Sequence, residues 1–196
     1  MSFRVWLKAN AADKVLSPLR QELVTLFHTD SSVLDIGCGT GDLLFRAANK
    51  ISTGHGIDLD QQMIQYANSK ANEYPKKNLR FDCLNALELP QDTYDVVTST
   101  LCLHEMDDDD ACAILRQTSK MTRRLLIADY AEPRSLANRI ATEFDEMISG
   151  HYSQFRRYRQ AGRIPAYARA CDLAISQTRQ SSIDGIVIWE LQGNRP

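Results

Sequence analysis

The sequence has no closely paired cysteines, no long apolar run and almost no excess of either charge. Its five cysteines, at 38, 83, 102, 112 and 171, are odd in number and widely spaced. With no C-x-x-C pair, neither a disulfide framework nor a structural zinc site is indicated. Reduced thiols and a cytoplasmic location are the expectation. No segment approaches about 18 uninterrupted apolar residues, and Met-Ser-Phe-Arg-Val-Trp-Leu-Lys at the start has no apolar stretch of signal-peptide length. Neither membrane spanning nor secretion is therefore expected. A formal net charge of −2 gives no global electrostatic case for wrapping duplex nucleic acid or coating an anionic membrane, though a local basic patch stays open. Asp107 to Asp110 lack the alternating ligands and glycine of a calcium loop, and no metal site is expected. Preceding Ala111, Ile114, Leu115 and Thr118, they read instead as the start of a helix, where negative charge is favoured.

What the chain does have is apolar content, 43% of 196 residues, enough for the core of one globular domain over 1–196. Apolar residues at 15, 16, 19, 23, 26 and 27 mark an amphipathic helix within an N-terminal helical segment, 1–30, with Pro18 fitting a kink or a late start. Val33-Leu34-Asp35-Ile36 then suits a strand buried on both faces. It runs into Gly37-Cys38-Gly39-Thr40-Gly41, whose glycines permit positive φ or close approach of a ligand. A helix starting near Asp42 directs bare N–H groups and a positive dipole end at that turn. A second strand ends at Asp58, and Asp60 is a natural N-cap for the helix that follows. Further strands are expected at Leu79 to Phe81, within 94–106, and at Arg124 to Asp129. The chain closes with a helix over Ile164 to Ala170 and two strands, Leu173 to Arg179 and Gly185 to Leu191, joined by a short loop and hence antiparallel.

The run Asp35-Ile36-Gly37-Cys38-Gly39-Thr40-Gly41 resembles the cofactor turn of class I S-adenosylmethionine (SAM) dependent methyltransferases. A dinucleotide fingerprint would need glycines at 37, 39 and 42, and position 42 is Asp. The resemblance implies an α/β, Rossmann-like three-layer sandwich. Its sheet would have seven mostly parallel strands with an antiparallel C-terminal strand, and a helical lid, 134–161, would follow the fifth strand. It also implies SAM, or its product S-adenosylhomocysteine (SAH), as cofactor. Asp35, Gly37, Cys38, Gly39, Thr40 and Gly41 would form the turn, and Asp58 would accept the ribose hydroxyls. Leu59 and Met63 would flank the adenine. Asp82 would take the adenine amino group and Cys83 and Leu84 would offer backbone, while Ser99 and Thr100 lie at the fourth strand end. Trp6 and Arg20 are further candidates for ligand contact.

Each assignment has a plainer counterpart: Asp58 or Asp82 as a solvated carboxylate, Cys83 as a small wall residue, Trp6 as packing. The fourth strand end reads Thr98-Ser99-Thr100-Leu101 where enzymes that methylate base or glutamine nitrogens often carry an Asn- or Asp-Pro-Pro-aromatic run. That departure points to a small-molecule acceptor. His104 is the candidate base, with a wall or turn-capping role as its counterpart. Tyr130, Glu132, His151, Tyr152 and Arg156 are candidate acceptor-pocket residues by position. The arginines at 156, 157, 159 and 163 read equally as an anion-binding lid or as the wet face of a helix. Three other functions stay open: a SAM-dependent RNA methyltransferase, a SAM-binding protein without transfer activity, and a nucleotide-sugar or NAD enzyme.

Overall fold

The computed structural model describes residues 13–90, 92–133 and 152–195. Trp6, His151 and most of the expected lid lie outside the described residues. After a short turn at Asp13–Val15 the elements run α1 (Ser17–Leu26), β1 (Ser32–Ile36), α2 (Asp42–Ala47), β2 (Thr53–Asp58), α3 (Gln61–Glu73), β3 (Leu79–Cys83) and β4 (Val96–Thr100). Then come α4 (Asp108–Ser119), β5 (Arg124–Tyr130), α5 (Tyr152–Ala161), α6 (Arg163–Ala170), β6 (Ile175–Gln180) and β7 (Ile186–Gln192). Short 3-10 turns lie at Ala86–Glu88 and Leu103–Glu105. The strands form one seven-stranded sheet in the order β3-β2-β1-β4-β5-β7-β6. β1, β2 and β3 pair in parallel, and β7 pairs antiparallel with both β5 and β6. The expected closing hairpin is there, with β7 inserted between β5 and β6.

The chain divides into two compact units, Met1–Thr98 and Ser99–Pro196. In the first, β1 is an apolar run with Val33, Leu34 and Ile36 buried, as a strand covered on both faces must be. Gly54 and Gly56 of β2 allow close packing on one face. A Cβ at Gly56 would come within 2.5 Å of Phe81, and one at Gly54 within 2.7 Å of Leu79. Phe81 stacks at a tilt on Phe45 of α2, 5.4 Å between centroids, and Phe45 in turn meets Tyr74 and the ammonium of Lys70. α3 begins where its cap predicts: Asp60 Oδ1 accepts from Gln62 N–H at 2.9 Å and Met63 N–H at 3.4 Å.

The second unit is built on β5, whose residues 125 to 129 are buried, and on the hairpin against it, where Ile186 to Trp189 are buried as well. The acidic run starts α4 as expected, but Asp107 makes no side-chain cap bond. Its carboxylate is drawn to Arg157 of α5 instead. Asp108 accepts the phenol of Tyr167 of α6 at 2.7 Å. Among the described residues no helix is long and apolar enough to cross a membrane.

Candidate cofactor turn and acceptor-side histidine

In the first unit, the chain leaves β1 through Gly37, Gly39 and Gly41, at φ 69°, 54° and 75°. All three occupy the left-handed region that costs an L-residue roughly 1–2 kcal/mol. Cys38 N–H donates to Ile57 O at 3.0 Å and Gly41 N–H to Cys38 O at 2.9 Å, which folds the turn back over the end of β2. A Cβ at Gly39 would meet nothing within 4 Å among the described residues, whereas one at Gly41 would lie 2.5 Å from Phe81. Gly41 is thus glycine for packing as well as conformation, and Gly39 faces open space.

Asp58 ends β2 and fastens that turn. Its Oδ2 accepts Gly39 N–H at 2.8 Å and its Oδ1 accepts Asp60 N–H at 2.8 Å. Asp35, 2% exposed, accepts the hydroxyl of Thr98 at 2.8 Å. Burial pushes its carboxyl up to about 7, with the Thr98 bond and then Arg20 opposing and Asp58 adding to the rise.

Sequence reasoning missed the brace behind the turn. Asp13 is buried, accepts Thr40 Oγ1 at 2.7 Å and receives Arg20 Nη1 at 2.6 Å. Arg20 Nη1 also reaches Asp42 at 3.0 Å, and Asp42 holds Arg46 Nε at 2.6 Å. Arg20, a candidate ligand contact from sequence, is therefore engaged by two carboxylates. Nothing local signals these pairs, whose partners Asp13 and Thr40 are 27 residues apart.

The other expected adenine-side residues spread out. Leu59 is 72% exposed and Met63 is 1% exposed, a core side chain. β3 runs further than Leu79 to Phe81, because pairing with β2 continues through Ile57↔Asp82 and Asp58↔Cys83. Asp82 therefore lies within the strand. Its carboxylate meets His55 Nε2 at 2.9 Å, while His55 Nδ1 meets Tyr94 Oη at 2.8 Å. An ionised carboxylate only accepts, so His55 carries its proton on Nε2. Burial first, and then Arg80, lower its pKa against the pull of Asp82. Cys83 is exposed, its Sγ 3.5 Å from Leu59 O, and Leu84 N–H donates to Asp58 O at 3.2 Å. Asn85, two residues past the strand, accepts Leu87 N–H at 3.0 Å and caps the 3-10 turn.

In the second unit, Ser99 Oγ and Thr100 Oγ1 are buried without a hydrogen-bond partner among the described residues. Leu101 follows at φ 50° with its N–H on Ala128 O at 2.8 Å. His104, 2% exposed, is held by Asp129, itself fully buried. Nδ1 lies 2.6 Å from Oδ1 and the His104 backbone N–H 3.3 Å from Oδ2. Asp129 Oδ1 also accepts Tyr130 N–H at 2.8 Å. Around the imidazole stand Tyr130 at 4.7 Å and Phe155 and Tyr158 at 6.1 Å, all edge-on. Tyr158 donates to Tyr130 O at 2.8 Å, and burial, followed by Asp129, raises its phenol well above the usual range. Tyr152 and Arg156 are exposed on α5. Glu132 pairs with Arg163. Asp129 as the partner of His104 was also missed, since 25 residues separate them.

A turn of three left-handed glycines fastened by the carboxylate of the next strand, on a sheet with an inserted antiparallel β7, defines the class I methyltransferase fold. A family model described as a methyltransferase domain matches residues 27–169, and the chain belongs to that family. The chain is 29% identical to the uncharacterized methyltransferase YcgJ of Bacillus subtilis over 109 residues, 54% of this chain and 43% of that one. It is 32% identical to the ubiquinone/menaquinone biosynthesis C-methyltransferase UbiE of a Marinomonas species over 130 residues, 63% of this chain and 48% of that one. The chain thus spans less than half the length of these curated relatives. Among solved structures, a SAM-dependent methyltransferase from Aquifex aeolicus superposes with a TM-score of 0.68 at 16% identity, over 96% of this chain and 97% of that one. Magnesium protoporphyrin IX methyltransferase from Synechocystis with bound SAH gives 0.65 at 18%, over 98% and 89%. At such identity these likenesses show the fold.

Proposed function

We propose that the chain transfers the methyl group of SAM to a small-molecule acceptor that gives up a proton in the reaction. The single observation that carries cofactor binding is the Asp58 tether on Gly39, which pre-sets an open, glycine-lined turn beside an acceptor-only carboxylate. The residues fit the group. Among the described residues no side chain fills the space at Gly39, and a carboxylate with about four lone-pair positions suits a ribose diol even while it holds two backbone donors. Asp35, Gly37, Cys38, Thr40 and Gly41 complete the turn. SAM supplies a sulfonium methyl and a neutral thioether leaving group.

What remains for the protein is alignment and proton traffic. Orientation alone is worth roughly 7–11 kcal/mol when reacting groups are held in line. Asp129, accepting from Nδ1–H, fixes the tautomer of His104 and so places the basic lone pair on Nε2. An imidazole so held takes the acceptor's proton and passes into an ion pair with Asp129. The likeness to a ubiquinone/menaquinone biosynthesis C-methyltransferase supports a small-molecule acceptor. The arginines of α5 and α6 argue the same way. Arg157 and Arg163 are committed to Asp107 and Glu132, so fewer charges remain for a phosphate backbone than the sequence suggested.

The test is methyl release from labelled SAM against quinols, phenols, a metabolite panel and bulk RNA. Turnover on a proton-bearing small molecule supports the reading. Turnover on RNA alone, or SAM binding with no turnover on any acceptor, contradicts it.

A further inference from the structure

We propose that Cys112 and Cys171 are an oxidation site, closing to an intramolecular disulfide when the protein meets a low-molecular-weight disulfide such as oxidised glutathione. The two thiols are 59 residues apart in sequence and meet where α4 packs on α6. Cys171 Sγ lies 3.5 Å from the backbone carbonyl oxygen of Cys112. The contact belongs to a ladder. Asp108, Cys112 and Arg116 follow one another at four-residue spacing on one face of α4. Opposite them stand the Tyr167 phenol, the Cys171 thiol and Ala170 O, at 2.7, 3.5 and 2.6 Å. The ladder holds the Cys171 thiol against the backbone of Cys112, so the proposed closure turns each side chain toward the sulfur of its neighbour.

The two thiols have unequal roles. Cys112 is partly exposed and Cys171 is buried. Burial, then the neighbouring Cys112 thiol, push Cys171 up to about 12, which makes it a poor first nucleophile. The thiolate of Cys112 attacks one sulfur of glutathione disulfide, forming a mixed disulfide and expelling one glutathione thiolate. Cys171, on losing its proton to solvent, attacks Cys112 Sγ and expels the second glutathione. Two protein S–H bonds become one S–S bond, and one glutathione disulfide becomes two glutathione thiols. The second step sets the rate and quickens as pH rises. The product staples α4 to α6, whose Tyr167 ring rests on Tyr158, 5.8 Å away, beneath His104.

The intact protein is incubated with oxidised glutathione at pH 7 and pH 9, alkylated and digested with trypsin and Glu-C. Residues 106–116 then carry Cys112 alone and residues 170–179 carry Cys171 alone. The expected result is a linked 106–116/170–179 peptide, formed faster at pH 9, with a melting temperature several degrees above that of the reduced protein. Cys171→Ser should trap glutathione on Cys112, and Cys112→Ser should leave Cys171 unmodified. A stable glutathione adduct on Cys112 of the wild type, a link from Cys171 to Cys83 or Cys102, or no linked peptide at pH 9 would each overturn the proposal. Cys112→Ala and Cys171→Ala repeat the test should serine unsettle the packing.

Discussion

Asp58 carries the most consequence at the scale of single residues, because one carboxylate holds both the glycine turn and the start of the next helix. Asp58→Asn keeps the shape but surrenders an acceptor oxygen to an amide that repels one of the two N–H donors. It should weaken SAH binding about tenfold or more, about 1.4 kcal/mol, by calorimetry. Unchanged affinity would remove Asp58 from the site. Asp35 gives a pH signature. Its folded pKa, about 7, lies above the ordinary 3.8, so the folded state holds a proton that the unfolded chain has released. The contribution is fully present below 3.8 and is lost as pH rises toward about 7. The stability of wild type minus that of Asp35→Asn should therefore fall across that window, by on the order of a few kcal/mol, in urea titrations at stepped pH. A flat difference would show Asp35 ionised throughout. The sequence singles out Asp58 by its offset from the glycine turn, a local regularity, but its grip on the Gly39 and Asp60 N–H groups appears only in the fold. Asp13 and Asp129 are not singled out in this way, because each acquires its role from a partner far along the chain.

Among the elements, α3 and the closing hairpin follow their local signals most closely. Asp60 precedes α3 and caps it, so Asp60→Ala should cost about 1 kcal/mol in urea unfolding, with SAH affinity nearly kept. An equal loss in Asp60→Ala and Asp60→Asn would mean that the side-chain cap is not what matters. The turn after β1 obeys a stricter rule. Gly41→Ala combines a left-handed backbone with a Cβ 2.5 Å from Phe81, and should cost at least about 1–2 kcal/mol. Gly39→Ala has the strain without the overlap, so it should be the milder of the two for stability and the harsher for SAH binding. β3 shows where local reading stops. Its apolar pattern ends at Phe81, yet pairing with β2 carries the strand through Cys83, turning Asp82 toward His55. The acidic start of α4 similarly reads as a cap, but tertiary partners on α5 and α6 take the carboxylates.

For the molecule as a whole, α/β alternation, a glycine turn after an apolar strand and a terminal antiparallel hairpin were enough to specify the class of fold. The order β5-β7-β6 confirms the hairpin's insertion. The proposed acceptor side is not encoded in any such regularity, since the side chains around His104 and Asp129 are brought together only by tertiary structure. The cofactor proposed for this fold is a ribose-bearing sulfonium without a pyrophosphate. The most direct measurement is a calorimetric titration of the intact chain with SAH and, separately, with NAD. The expected result is saturable one-site binding of SAH that Asp58→Asn weakens, and no heat with NAD. Binding of NAD with no response to SAH would contradict it.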